Sequence, residues 1–310
     1  MRALVAGGAG FVGSHLVERL VDAGHEVVVV DDFSTGRREN LAAVSHQVTI
    51  VDADIADAAA VDAIEGPFDQ VYNLASPASP VDYHRLPIHT LMTGSMGVKN
   101  TLDLAHAHGA RYLLASTSEV YGDPQVHPQP ETYLGHVNPV GPRSVYDEAK
   151  RFGEAMTAAY RREFGVDTKI VRIFNTFGPR MRVEDGRAIP NFVHQALTGR
   201  EITVAGDGHQ TRSICYVDDL VGGLVAMMES TATGPVNLGN PEEISMIDLA
   251  TWICDLAESS SQIVHVPRPV DDPQIRRPDI TLAGELLGWS PSTTAEIGLK
   301  ATIEDFRNRR

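Results

Sequence analysis

A glycine-rich turn at the start of the chain constrains its fold more than any other feature. Residues 7–13 read Gly-Gly-Ala-Gly-Phe-Val-Gly, between a predicted strand at 2–6 and a predicted helix at 13–23. In that context Gly7, Gly10 and Gly13 permit a tight turn, close approach of the backbone to a pyrophosphate, and packing of the helix on the strand. The helix N-terminus then faces the phosphates. The turn therefore predicts a dinucleotide-binding site.

An acidic residue at the end of the second predicted strand, 26–30, indicates which dinucleotide is bound. Asp31 lies 18 residues after Gly13, where an acid accepts hydrogen bonds from the adenosine ribose hydroxyls. Its charge would repel a 2′-phosphate, so we expect NAD, although Arg37 and Arg38 follow closely enough to keep NADP open. The competing interpretation is an ordinary glycine turn followed by a solvent-facing acid.

Strands and helices alternate through the first half of the chain. Further strands are predicted at 48–51, 70–74, 112–115 and 168–173, and helices at 58–64, 94–108 and 146–163. Apolar strands separated by helices indicate a parallel sheet that is covered on both faces. We therefore predict an α/β fold, a Rossmann-type doubly wound parallel sheet, and expect residues 1–174 to form an NAD-binding domain.

Past residue 175 the predicted elements become shorter, and proline and glycine are more frequent. This change in composition and element length indicates a smaller substrate-binding lobe interleaved with the sheet. We expect residues 175–310 to form most of this lobe, with a segment near 212–232 returning to the first domain. The ligand cleft should lie between the two parts.

The predicted cofactor contacts come from the turn, from the carboxyl ends of the strands and from one helix. They are Gly7, Gly10, Phe11, Val12, Gly13, Asp31, Asp32, Asp54, Ile55, Leu74, Ala75, Ser76, Ser116, Tyr146 and Lys150. Asp54 has a second interpretation, as the N-cap of the next helix.

Charge and cysteine content exclude several classes of function. The formal net charge of −15 argues against nucleic-acid binding, which needs a basic face. No apolar run reaches the length of a membrane span. The two cysteines, Cys215 and Cys254, lie in separate segments without the spacing of a metal site, which favours a reducing, cytoplasmic location and no bound metal.

A tyrosine and a lysine four residues apart predict the catalytic centre. Tyr146 and Lys150 share one face of a helix, and Thr117, Ser118 and Glu119 end a sheet strand about thirty residues earlier. A phenol with a pKa of about 10 is a poor base at neutral pH. The lysine ammonium and the positive nicotinamide of NAD would both favour the phenolate. Tyr146 could then take a proton from a sugar hydroxyl while NAD takes the hydride.

Several longer motifs resemble those of a known family. The glycine pattern, Asn73-Leu74-Ala75, Ser116-Thr117 and the Tyr146/Lys150 pair are similar to the extended short-chain dehydrogenase/reductases along the whole chain. More narrowly, five runs resemble the UDP-glucuronate decarboxylases, which are also called UDP-xylose synthases. They span residues 74–80, 116–122, 135–139, 174–180 and 276–279.

This resemblance implies a substrate site and an assembly. Glu119 and Arg276 would be the residues that distinguish the decarboxylases, and Asn175 and Arg212 would bind the nucleotide diphosphate. The predicted substrate-binding residues are Asn175, Arg180, Arg187, Arg212, Arg276 and Arg277. The family forms homodimers through two helices, here 94–108 and 146–163. The chain departs from the family at Gly94, usually asparagine, and at Arg277, more often lysine.

The chemistry of such a reaction fits these residues. Oxidation at C4 of a glucuronate creates a ketone β to the C6 carboxylate, so loss of CO2 leaves a stabilised enolate without a metal. Glu119 would protonate C5 or manage the proton near the carboxylate, and Arg276 would hold the carboxylate or a phosphate. The alternatives are a capping role for Glu119 and a surface ion pair of Arg276 with nearby Asp271 and Asp272.

Three other functions remain open on the same scaffold. A 4-epimerase of UDP-hexuronates or UDP-hexoses would share Tyr146 and Lys150 but needs no acid at Glu119. A 4,6-dehydratase of dTDP- or UDP-sugars would have an Asp-Glu pair where this chain has Ser118-Glu119. A non-catalytic NAD-sensing protein would typically lose the tyrosine or the lysine. The sequence leaves open the base of the nucleotide and whether UDP-xylose or the 4-keto-pentose is released.

Overall fold

The computed structural model describes residues 1–267 and 276–309. The strands are β1 (Arg2–Ala6), β2 (Glu26–Asp31), β3 (Val48–Asp52), β4 (Gln70–Asn73), β5 (Arg111–Thr117), β6 (Thr168–Ile173), β7 (Thr176–Phe177), β8 (Ile202–Ala205), β9 (Thr211–Ser213), β10 (Cys215–Tyr216), β11 (Val236–Leu238), β12 (Glu243–Ser245) and β13 (Ile263–Val266). The helices are α1 (Phe11–Asp22), α2 (Ala58–Asp62), α3 (Pro80–Arg85), α4 (Pro87–Met92), α5 (Val98–His108), α6 (Ser144–Phe164), α7 (Ala188–Thr198), α8 (Val217–Glu229), α9 (Met246–Ala257), α10 (Thr281–Leu287) and α11 (Ala295–Asn308).

Seven strands form one parallel sheet in the order β11-β6-β5-β4-β1-β2-β3. The strand order reverses beside β1, which is the arrangement of a doubly wound sheet. The central strands are apolar on both faces because helices cover each side; Val27 to Val30 of β2 are at most 1% exposed. The predicted α/β fold of Rossmann type is confirmed.

One face of the sheet is covered by a core that joins distant parts of the chain. α1 and α8 pack together there, and Trp289, just after α10, inserts into the same cluster. The indole N–H of Trp289 donates to the carbonyl of Asp219 in the first turn of α8. α8 lies within the segment 212–232, and the strand that follows it, β11, pairs with β6 at the sheet edge.

A second core lies outside the main sheet and belongs to the smaller lobe. Here α7, α9 and α11 pack around Phe192, Ile253 and Leu299, which are all at most 3% exposed. The two-stranded pairs β8–β13 and β9–β12 border this core. No helix within residues 1–267 and 276–309 is long and apolar enough to cross a membrane.

The helix predicted at 94–108 has a more complex start. A π-helical turn, Thr93–Gly97, joins α4 to α5. Gly94 in this turn packs against α6 so closely that an added Cβ would lie 2.6 Å from the Cβ of Ala149. The glycine at this position therefore allows the close contact between the π-helical turn and the helix that carries Tyr146 and Lys150.

Candidate active site

The glycine turn between β1 and α1 leaves no room for side chains. Gly7 has a φ of 77°, in the left-handed region, and an added Cβ would lie 2.7 Å from the backbone nitrogen of Ala75. At Gly13 an added Cβ would lie 2.1 Å from the carbonyl oxygen of Gly7. Both positions therefore require glycine. The turn places the N-terminus of α1 beside the ends of β1 and β4, as a pyrophosphate site requires.

Asp31 ends β2 and is only 7% exposed. Its Oδ2 accepts a hydrogen bond from the Ala9 backbone N–H, and its Oδ1 accepts one from that of Phe33, both at 2.9 Å. Burial raises the pKa of Asp31, while the two backbone hydrogen bonds oppose that rise. Each oxygen keeps a further lone pair, so the carboxylate can still accept from ribose hydroxyls.

The two arginines that kept NADP open point elsewhere. Arg37 lies 3.4 Å from the carboxylate of Glu184. Arg38 lies 2.5 Å from the carboxylate of Asp52 and stacks over the ring of Phe33. Because each guanidinium already faces a carboxylate, this geometry favours NAD at Asp31.

One cavity joins nearly all of the predicted cofactor residues. It is lined by Gly7, Gly10, Phe11, Val12, Gly13, Asp31, Asp32, Asp54, Ile55, Leu74, Ala75 and Ser76. Two hydroxyls on its wall, Ser76 Oγ and Thr93 Oγ1, are buried and have no hydrogen-bond partner in the part of the chain that the structure describes. A cavity with a phosphate turn at one side, an acid for the ribose and unpaired polar atoms fits a dinucleotide.

At the adenosine end, only the second interpretation of Asp54 is wrong, and His89 is a residue that the sequence did not single out. Asp54 accepts from the backbone of Ala56 and does not cap α2, whose N-cap is Asp57. His89 lies between the acids of this end, with its Nε2 3.0 Å from Asp32 and its Nδ1 3.8 Å from Asp54. The sequence contains no local signal that a histidine lies at this end of the cavity, because its position depends on how α4 packs over the cavity.

Tyr146 and Lys150 occupy the first two turns of α6 and are 7% and 6% exposed. The phenol of Tyr146 is hydrogen-bonded to Thr117 at the end of β5. The ring of Tyr146 stacks on that of Tyr83, with centroids 5.4 Å apart and planes 7° from parallel. These contacts fix the phenol at the mouth of the sheet, next to the cofactor cavity.

Burial opposes the charged forms of both residues of this pair. Burial raises the pKa of Tyr146, and the Thr117 hydrogen bond only partly offsets the rise. Lys150 donates to the carbonyl of Ala115 at 2.9 Å, and its Nζ lies 5.8 Å from the centroid of the Tyr146 ring. Burial lowers the pKa of Lys150 to about 8. Lys150 alone therefore does not produce a phenolate, which leaves that effect to the positive nicotinamide of a bound cofactor.

Glu119 follows β5 in a short 3₁₀ turn and contacts two arginines. Its carboxylate forms ion pairs with Arg276 and Arg143. Burial alone would raise the pKa of Glu119, but the charges of Arg276 and Arg143 outweigh burial and lower it to about 2. Glu119 does not act as a helix cap, and Arg276, 6% exposed, is not in a surface pair. Asp271 and Asp272, the other candidate partners of Arg276, lie outside the described residues.

The serines around Glu119 have different surroundings. The hydroxyl of Ser116 donates to Glu154 at 2.6 Å, and Glu154 in turn is held by Arg172. Ser116 therefore faces a structural network, away from the cavity wall. Ser118 is buried next to Glu119, at 2% exposed.

Some of the predicted substrate-binding residues lie near the cleft, and others already form ion pairs with carboxylates of the protein. Among residues 1–267 and 276–309, no group hydrogen-bonds to the buried Nδ2 of Asn175, which is a donor available to a ligand. Arg212 lies on β9 and donates to the Thr211 carbonyl. Arg277 turns away from Glu119, toward Glu243. The two neighbouring arginines thus point in different directions, and Arg276 is the one that faces the catalytic end.

Arg180 and Arg187 border the cofactor cavity but have carboxylate partners. Arg180 forms two hydrogen bonds with Glu18 of α1, at 2.6 and 2.7 Å. Arg187 forms a bidentate pair with Asp185. A ligand phosphate would have to share or replace these carboxylates.

Sequence reasoning missed Arg143 and Tyr83. Arg143 is the N-cap residue of α6, a position where a positive charge is unfavourable unless an anion compensates it. Because the sequence predicted the helix to begin at 146, this mismatch appears only once the structure places the start of α6 at Ser144. Tyr83 on α3 is 1% exposed, and its hydroxyl is buried without a partner. Its contact with Tyr146 is tertiary, and no local pattern predicts it.

Comparisons with known proteins agree with this geometry. Residues 3–239 match the family described as the NAD dependent epimerase/dehydratase family. UDP-glucuronic acid decarboxylase 1 of Xenopus tropicalis is 53% identical over 306 residues, covering 99% of this chain and 72% of that protein. The Arabidopsis thaliana enzyme of the same name is 50% identical over 311 residues, covering 100% of this chain and 70% of that protein.

Solved structures with the same fold include two epimerases. UDP-glucose 4-epimerase of Thermotoga maritima, solved with UDP-glucose, has a TM-score of 0.93 at 31% identity, covering 100% of this chain and 99% of that one. UDP-glucuronic acid 4-epimerase of Bacillus cereus, in complex with UDP-glucuronic acid and NAD, has a TM-score of 0.88 at 26% identity, covering 100% of both chains.

Proposed function

The chain belongs to the NAD-dependent epimerase/dehydratase family, and we propose that within this family it is a UDP-glucuronate decarboxylase. The observation that carries the proposal is the buried contact of Glu119 with Arg276, beside the Tyr146–Thr117 pair. Oxidation or epimerisation of a neutral sugar at C4 does not need this charged cluster, whereas a substrate carboxylate does. The decarboxylases that are 50% and 53% identical over nearly the whole chain support the same substrate.

The cofactor is NAD, which when bound supplies the hydride acceptor for C4. Gly7, Gly13 and Asp31 would hold its pyrophosphate and its adenosine ribose. Tyr146 takes the proton of the C4 hydroxyl, and Thr117, hydrogen-bonded to the same phenol, positions it for that transfer. Lys150 keeps its place through the Ala115 carbonyl.

Decarboxylation follows from the ketone that oxidation creates. The C5–C6 bond breaks, its electron pair passes into an enolate across C5, C4 and the C4 oxygen, and C6 leaves as CO2. C5 would then take a proton; a hydride returned to C4, together with the proton that Tyr146 holds returned to the C4 oxygen, would give UDP-xylose. Glu119 can protonate C5 only after an arginine withdraws, because both arginines hold it ionised. The substrate carboxylate is the group that can draw Arg276 away.

We also propose how the chain divides this work. Residues 1–174, with the returning segment near 212–232, bind NAD, and residues 175–310 mostly bind the nucleotide sugar. Support for the second part comes from Asn175, whose Nδ2 lacks a partner, and from Arg212 on β9.

A cytoplasmic homodimer is the assembly that we propose. Large apolar side chains are exposed on α6 and on the π-helical turn beside it, where Phe152 and Met96 are 46% and 39% exposed. Exposed apolar surface of this kind is typical of an interface. Both cysteines, Cys215 and Cys254, are buried and unpaired, which supports a reducing compartment.

Proton NMR of the purified protein with UDP-glucuronate, with and without added NAD, tests the function. We expect the H5 signal of the glucuronate to give way to the two C5 protons of a UDP-pentose. Formation of UDP-galacturonate would establish the 4-epimerase alternative that the structural relatives represent.

A further inference from the structure

A second carboxyl group is buried next to Glu119 and has no part in the mechanism above. Asp147 lies in the first turn of α6 and is 6% exposed. Within the described residues, its buried Oδ1 has no hydrogen-bond partner and its carboxyl forms no ion pair. A buried carboxylate without a partner is costly when ionised, so the neutral form is favoured.

The helix spacing shows where Asp147 faces. Arg151 and Glu154 follow it at i+4 and i+7, on the same side of α6. Arg151 donates to the carbonyl of Val120, and Glu154 accepts from Ser116. This side of the helix therefore packs on the end of β5 and the 3₁₀ turn that carries Glu119.

Charged and titratable groups surround Asp147 from several elements. They are Glu119 in the 3₁₀ turn, Arg143 before α6, Arg276 in the C-terminal segment, Tyr83 on α3, and Tyr146 and Glu148 on α6 itself. Burial, and then the charge of Glu119, raise the pKa of Asp147 to about 7, although Arg143 and Arg276 oppose the rise. Asp147 thus changes its charge in the neutral range.

The balance of charge in this cluster decides whether it has room for another anion. With Asp147 protonated, two arginines face one carboxylate, Glu119, which leaves one positive charge uncompensated. With Asp147 ionised, two carboxylates face the two arginines, and the cluster is neutral. A substrate carboxylate completes the balance in the first state and exceeds it in the second.

We propose that Asp147 is a specificity-determining residue that must carry a proton for the C6 carboxylate of the substrate to bind beside Arg276. This inference rests on the proposed function, since it takes UDP-glucuronate as the substrate. Binding of the sugar acid is then coupled to uptake of one proton. A nucleotide sugar without a carboxylate, such as UDP-glucose, has no such requirement.

The test measures dissociation constants of UDP-glucuronate and UDP-glucose between pH 6 and 9 from the protein loaded with NADH, which cannot accept a hydride and so leaves both sugars intact. UDP-glucose carries the same uracil and diphosphate. The dissociation constant of UDP-glucuronate divided by that of UDP-glucose therefore reports the effect of the carboxylate alone. We expect that ratio to be constant below pH 7 and to rise up to about tenfold per pH unit above it. In Asp147→Asn the ratio should stay flat, and in Glu148→Gln, the neighbouring acid, it should rise as in the wild type.

A flat ratio in the wild type overturns the inference, and so does an unchanged rise in Asp147→Asn. Asp147→Ser replaces the amide variant if that protein does not fold. Calorimetry of the NADH-loaded wild type in two buffers of different ionisation enthalpy gives an independent count: one proton taken up near pH 8 with UDP-glucuronate, and none with UDP-glucose. The proposed function fails separately, if no CO2 is released from UDP-glucuronate at any pH.

Discussion

The guanidinium of Arg276 lies against the carboxylate of Glu119, although 157 residues separate them and both side chains are largely buried. Removing two charges from water is costly, and their attraction offsets that cost only when the geometry is good. Here Arg143 contacts the same carboxylate, so the cluster holds more positive than negative charge when Asp147 is protonated. Such an arrangement at the end of β5 is suited to receive a second anion.

The two neighbouring arginines should respond differently to the same change. Arg276→Lys keeps the charge but loses the planar fork, so we expect kcat/KM for UDP-glucuronate to fall by about tenfold to a hundredfold. Arg277→Lys, whose guanidinium faces Glu243, should stay within about twofold. NAD affinity should be unchanged in both. Equal losses in the two variants would contradict the assignment of Arg276 to the substrate.

Glu119→Gln keeps the shape of the side chain and removes its charge. We expect turnover to fall by about a hundredfold or more, with NAD affinity close to that of the wild type, because the cofactor cavity is lined by other residues. Unaltered turnover would leave Glu119 without a chemical role. Lost NAD affinity would point instead to a structural role for the 3₁₀ turn.

The same variant makes a prediction about acid stability. The folded pKa of Glu119, about 2, is below its ordinary value of 4.5, so its ionisation stabilises the fold above pH 4.5. That contribution is lost as the pH falls toward 2, and amounts to about 3 kcal/mol. Urea unfolding at pH 6 and pH 3 should therefore show a larger acid loss in the wild type than in Glu119→Gln. Equal losses would show that the ion pairs do not hold the carboxyl ionised.

Tyr146→Phe removes the proton acceptor and little volume. Stacking on Tyr83 should survive, while C4 oxidation falls by about a thousandfold. NADH formation after rapid mixing with UDP-glucuronate measures this step. The matched control is Tyr160→Phe on the same helix, whose hydroxyl contacts Asp103. Near-normal NADH formation in Tyr146→Phe would contradict the assignment of Tyr146 as the base.

The proposed dimer depends on the exposed apolar side chains of α6. Phe152→Asp should convert the protein from dimer to monomer in sedimentation velocity at micromolar concentration, because it places a charge in an apolar interface. Leu134→Asp changes a side chain that is 82% exposed in a loop and should leave the dimer intact. A monomeric wild type would refute the proposed assembly.

Much of the first half of the fold follows from the sequence because its signals are local. The glycine turn, the apolar strands and the i, i+4 pair of Tyr146 and Lys150 are local features, and the observed β1 and β6 have the predicted bounds. α10 and α11 were not predicted. Trp289, next to α10, joins the core of the sheet only through contacts with distant α8.

In the candidate site, too, some residues could be predicted from the sequence and others could not. Glu119 and Arg276 stand out through family motifs, but Arg143, Tyr83 and Asp147 do not. From the local sequence alone, Asp147 is an acid in the first turn of a helix, where it would be solvated and would interact favourably with the helix dipole. Its burial beside Glu119 arises from the packing of α6 on the 3₁₀ turn, which only the three-dimensional structure shows.

Carbon balance with UDP-glucuronate labelled with ¹³C at C6 tests the central claim most directly. The account predicts that the label leaves as CO2 and bicarbonate, one for each UDP-pentose formed, and that added NAD is not consumed when UDP-xylose is the product. Wild-type protein should do this while Tyr146→Phe does not. Retention of the label in a UDP-hexuronate, with no labelled CO2, would contradict decarboxylation and leave this chain an epimerase.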